Sequence, residues 1–76
     1  MLDLKCTQIT DNGLKELGGL KNLIVLDLRN TKITDAGLKE LLELKSMKTL
    51  FLFNTPTTDA GAKALQDALP NLVINR

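Results

Sequence analysis

Three aspartates recur at one spacing: Asp11, Asp35 and Asp59 each follow a threonine (Thr10, Thr34, Thr58) and stand two residues before a glycine (Gly13, Gly37, Gly61). Three carboxylates are the ligand type for a divalent cation. The parts needed for nucleophilic catalysis are sparse. There is no histidine, Cys6 is the only cysteine and Ser46 the only serine, so no imidazole is available to activate either. The glycines of "LGGLK" lack the spacing of a phosphate-binding loop. They fit a helix end, with Gly18 or Gly19 supplying a left-handed residue. What the aspartates do depends on the elements that carry them.

The chain is 76 residues long, enough for one small domain, with 43% apolar and 25% charged residues. Ten basic and nine acidic residues leave a net charge of +1, so no strong field draws the chain to nucleic acid or to an anionic membrane. A lone cysteine builds no internal disulfide framework, and a reduced cytoplasm is the expected compartment. The opening "MLDLKCTQITD" is too polar for a signal peptide or a membrane span.

Steps of 24 residues superpose Leu2, Leu26 and Leu50, then Leu4, Leu28 and Leu52, then Thr7, Thr31 and Thr55. The same step aligns the three aspartates, the three glycines, Lys15 with Lys39 and Lys63, and Leu17 with Leu41 and Leu65. Such self-similarity marks stacked units that bury their apolar faces against one another. Each unit pairs period-two residues such as Leu26 and Leu28 with helically spaced Leu38, Leu41 and Leu42, so each coil is one strand and one helix. The expected architecture is α/β, with coils 2–25, 26–49 and 50–73 and a closing strand over 73–76. Strands are expected near Leu2 to Leu4, Val25 to Leu28, Thr49 to Leu52 and Val73 to Asn75. Helices are expected over Asp11 to Gly18, Asp35 to Glu43 and Asp59 to Leu69.

Leu23, Leu26, Leu28, Thr31 and Ile33 spell LxxLxLxxTxI, which resembles the leucine-rich repeat pattern with Thr where Asn or Cys is commoner. The "TDAGLKEL" that follows is similar to the helical half of the ribonuclease-inhibitor-like and cysteine-containing subclasses. The resemblance covers essentially the whole chain. It implies a short solenoid with a parallel concave sheet and outer helices, acting in protein–protein interaction, without catalysis and without a cofactor. No F-box-like segment accompanies the repeats.

In that frame the Thr-Asp-Gly motif is scaffold. The threonine caps the helix, the aspartate complements the helix dipole, and the glycine allows coils to approach closely. Rows of carboxylates at strand spacing lack the further ligands a metal needs, so no metal site is expected. Thr7, Thr31 and Thr55 are expected to satisfy backbone groups between coils. In the third coil Pro56 and Thr57 replace a polar and an apolar residue, and a looser turn is expected there.

Strand alternation sends Asp3, Lys5, Val25, Asp27, Arg29, Thr49, Phe51 and Phe53 to the concave wall, the candidate partner-binding residues. The four charges either read a charged partner or neutralise one another as a solvated wall. Phe51 and Phe53, the only aromatic residues, either contact a partner or pack under Val73 or against a neighbouring molecule. The first coil is expected to expose one flank of Leu2, Leu4, Ile9, Leu14 and Leu17, roughly 300 to 600 Å² of apolar surface. A two-fold homodimer through antiparallel Leu2 to Leu4 edges would cover it, with Cys6 nearby. Two other roles stay open: a structural or self-assembly unit, and an excised or engineered piece of a longer repeat protein with no partner of its own.

Overall fold

The computed structural model describes Met1 to Arg76. Short strands alternate with helical segments: β1 (Leu2–Asp3), α1 (Asp11–Leu14), β2 (Val25–Asp27), α2 (Asp35–Leu38), β3 (Thr49–Phe51), α3 (Asp59–Ala68) and β4 (Val73–Asn75). A 3₁₀ turn extends α1 over Lys15–Gly19 and α2 over Lys39–Glu43. The strands form one parallel sheet in chain order, with Leu2 beside Leu26, Leu26 beside Leu50, and Leu50 beside Ile74. Parallel neighbours need a crossover, and the helical segments supply it. The fold is an α/β solenoid of three strand–helix coils followed by a fourth strand.

The core lies between sheet and helices. Leu26, Leu28, Leu50 and Leu52 enter it from the strand side, and Leu14, Leu38, Leu41 and Leu65 from the helices, with Ile33, Leu44 and Met47 between. Each fully buried leucine contributes about 1.5 to 3 kcal/mol of transfer free energy. Helices one and two tighten after Leu14 and Leu38, whereas α3 stays α-helical through ten residues. In α3 the Gln66 amide donates to the carbonyls of Leu69 (3.2 Å) and Leu72 (2.6 Å). That clasp holds the helix end to the "LPNL" turn.

The turns after the strands depart from expectation in two respects. The hydroxyls of Thr7, Thr31 and Thr55 donate to the carbonyls of Leu4, Leu28 and Leu52, at 2.7, 2.7 and 2.8 Å, three residues back in the same coil and not between coils. The left-handed residues are Cys6, Asn30 and Asn54, with φ of 61°, 59° and 60°, and not Gly18 or Gly19, since no glycine has positive φ. Asparagine tolerates this region because its short side chain bonds locally. Asn54 Nδ2 donates to Asn30 Oδ1 at 2.7 Å, and Asn30 Nδ2 reaches Cys6 Sγ at 3.6 Å, so the three side chains form a row along one rim. Thr57 takes the slot of Ile33 and is buried, its hydroxyl paired with that of Thr55 at 2.9 Å.

Candidate functional site

The Thr-Asp-Gly motif is a clamp between coils. Asp11 accepts the backbone N–H of Thr34 at 2.8 Å and its hydroxyl at 2.5 Å. Asp35 repeats both bonds with Thr58 at the same distances. Each carboxylate lies against the glycine of the next coil: a β-carbon on Gly37 would collide with Asp11, and one on Gly61 with Asp35. Hydrogen bonds from the Thr58 hydroxyl and N–H hold the Asp35 carboxyl below its usual range. Asp59, at the end of the row, instead pairs with Arg76, whose other guanidinium nitrogen donates to the Thr57 carbonyl at 2.7 Å. The expected caps form at two helices, where Thr34 accepts from Ala36 N–H (3.3 Å) and Thr58 from Gly61 N–H (3.2 Å). Thr10 makes no such bond. The carboxylates are thus committed one by one to neighbouring coils and do not converge on a common point.

On the concave wall the residues stand in rows. One row runs Asp3, Asp27, Phe51, Asn75, and another Val25, Thr49, Val73. Backbone bonds from Cys6 N–H to Arg29 and from Asn30 N–H to Phe53 carry the pairing past the strand ends, so Lys5, Arg29 and Phe53 form a third row. Charges pair along each coil: Lys5 with Asp3 at 3.6 Å, and Arg29 with Asp27 through Nη2 at 2.7 Å and Nε at 3.0 Å. The Arg29 guanidinium lies 5.1 Å above the Phe51 ring centroid, a cation–π stack. It hides Asp27, which is 0% exposed and therefore, contrary to the sequence expectation, presents no carboxylate to a partner. Its hydrogen bonds from Arg29 outweigh burial and hold the Asp27 carboxyl below the ordinary range. Alternation puts Asp27 on the right face, but a salt-bridged arginine two residues on folds over it.

Of the remaining wall residues, Asp3 and Lys5 are exposed, and Val25, Arg29, Thr49 and Phe51 are half-buried. Phe53 is 63% exposed. The strand neighbour of Phe51 on β4 is Asn75, with Val73 diagonal to it on the same face. On the first flank, Leu2, Leu4, Ile9 and Leu17 are half-buried and packed on the core. Leu14 is fully buried between the first two coils, so it leaves the expected exposed flank. One surface has no counterpart in the sequence reading. A groove of about 320 Å³ opens between the helices of coils two and three, lined by Leu38 and Leu42 from coil two and by Ala64, Leu65 and Ala68 from α3. Its sequence signal is Ala64, a small residue that stands where the other coils have Glu16 and Glu40.

No curated protein matches the chain. A family model described as Leucine Rich repeat matches residues 2–18 and 19–42, more than half of the sequence. With a parallel sheet whose neighbouring strands carry equivalent residues, the match assigns the family: this chain belongs to the leucine-rich repeat proteins.

Proposed function

We propose that the chain is a protein–protein interaction module whose three coils, 2–25, 26–49 and 50–73, act as one domain and bind through the concave sheet. The observation that carries this reading is Phe53. It is 63% exposed beside the Arg29–Phe51 stack, in a row where the other coils carry Lys5 and Arg29. Aromatic residues, phenylalanine included, and arginine are enriched at protein interfaces, and solenoid curvature presents such a wall to a partner. Val25, Thr49 and the paired charges Asp3 and Lys5 form the surround. Catalysis is not part of the proposal, because the carboxylates are bonded to scaffold groups and the chain has no histidine. The test is capture from a native lysate by the whole chain and by Phe53→Ser. Loss of a wild-type band with an unchanged melting curve supports the wall as the site. Equal capture by both proteins places the contact elsewhere, with the groove beside Ala64 the next surface to mutate.

A further inference from the structure

We infer that Asn12 is a site of spontaneous deamidation, where the backbone nitrogen of Gly13 closes on the side-chain amide and leaves an isoaspartate that pulls α1 off one of its anchors. Of the six asparagines only Asn12 precedes a glycine, and a residue without a side chain offers the least hindered backbone nitrogen. Both reacting groups are untethered. Asn12 is exposed in the first turn of α1, and its amide has no partner in the chain, whereas the amides of Asn30 and Asn54 are tied into the rim row. The Gly13 N–H meets no acceptor, whereas the equivalent Gly37 N–H donates to the Thr34 carbonyl at 2.9 Å. One backbone bond, from Leu14 N–H to the Thr10 carbonyl at 3.2 Å, closes the turn over the dipeptide, and Thr10 adds no side-chain cap. Local opening of that turn frees Asn12 from the helical conformation and lets the Gly13 nitrogen reach Cγ while the core stays folded. The other coils carry Ala36 and Ala60 at this position, so the chemistry belongs to the first coil alone.

The reaction balances with water as the only co-reactant. The Gly13 nitrogen gives up its proton and bonds to Asn12 Cγ, the side-chain nitrogen leaves as ammonia, and a five-membered succinimide results. Water then opens the ring at either carbonyl, giving aspartate, or isoaspartate with the chain running through the former side-chain carbonyl. The second product lengthens the backbone path by one methylene. That length has no place to go. Asp11, on one side, is bonded to the N–H and hydroxyl of Thr34, and Leu14, on the other, is fully buried in the core. Only Asn12 and Gly13 lie between them, so the lengthened turn cannot keep both the clamp to the second coil and the packing of Leu14.

The test is incubation of the whole chain at mildly alkaline pH and body temperature, beside Asn12→Ala, which supplies the residue type of the other two coils. Peptide mapping should find a gain of one mass unit at Asn12, with release of ammonia and labelling by an isoaspartate methyltransferase, and none of these in Asn12→Ala. The rate in the folded chain should lie within about tenfold of the rate in urea, the mark of local opening. The isoaspartate fraction, separated by chromatography, should show a folding equilibrium constant lowered by about tenfold or more. Asn12→Asp adds the charge without lengthening the backbone and should stay within about twofold of wild type. The inference is overturned if the other asparagines gain mass as fast as Asn12, or if folding slows the reaction by the full factor that global unfolding imposes. It is also overturned if the isoaspartate fraction and Asn12→Asp unfold at the same midpoint.

Discussion

Asp35 lies against Gly61 so closely that a β-carbon on the glycine would occupy the space of the carboxylate. The motif that recurs in the sequence is therefore one contact split between two coils: an acid on the first, and the threonine and glycine that receive it on the second. We predict that Gly61→Ala costs about 2 kcal/mol, the typical penalty of overpacking. Gly19→Ala, whose β-carbon meets nothing, should be neutral or stabilise by about 0.5 kcal/mol. Urea midpoints of both variants decide it. Equal effects would mean that the helix conformation, and not the carboxylate, requires glycine.

Leu28 is fully buried beneath the sheet, whereas Lys39 is exposed on the helical side. A chain of this size has about 4 to 11 kcal/mol of total stability. Leu28→Asp places an unpaired charge in the core at about 4 kcal/mol or more and should unfold the domain. Lys39→Ala should stay within about 0.5 kcal/mol of wild type. Circular dichroism melts check the pair, and similar losses from both would reverse the inward and outward assignments.

The carboxyls of Asp27 and Asp35 are depressed by their hydrogen bonds, to Arg29 and to Thr58 respectively. A carboxyl whose folded pKa lies below its unfolded value of about 3.9 adds stability that is complete above that value and is lost as pH falls through the folded one. Stability should thus be level near neutrality and decline below about pH 4. Asp27→Asn should cost about 2 kcal/mol at pH 7, since it weakens a charge-assisted pair. The gap between Asp27→Asn and wild type should narrow at pH 2 to 3. A gap independent of pH would show that packing of the side chain, not its charge, is what matters.

Strand and helix positions were legible because the apolar spacing changes from two to helical within each coil, and α3 ends within one residue of the sequence expectation. The use of the aspartates was not. Asp11 and Asp35 begin helices and suit the dipole, yet their bonds go to threonines 23 residues away, which only stacking brings near. Asp27 was misread for a related reason, since alternation gives the face of a side chain but not what folds over it. The left-handed turns carried a readable signal in Asn30 and Asn54. Cys6 at the same position in the first coil obscured it.

That position gives the last prediction. Cys6 holds φ of 61° on an exposed turn, a conformation that costs an ordinary L-residue about 1 to 2 kcal/mol and that asparagine tolerates better. Its sulfur is also a weak acceptor for Asn30 Nδ2 at 3.6 Å, whereas Asn30 itself offers an oxygen to Asn54 at 2.7 Å. Cys6→Asn should relieve part of the backbone cost and continue the row of side-chain amides, raising stability by about 1 kcal/mol. Cys6→Ala keeps the strained backbone and loses the acceptor, so it should not stabilise. Guanidinium midpoints under reducing conditions compare the two. If alanine stabilises as much as asparagine, removal of the thiol explains the gain, and neither the left-handed turn nor the amide row limits the first coil.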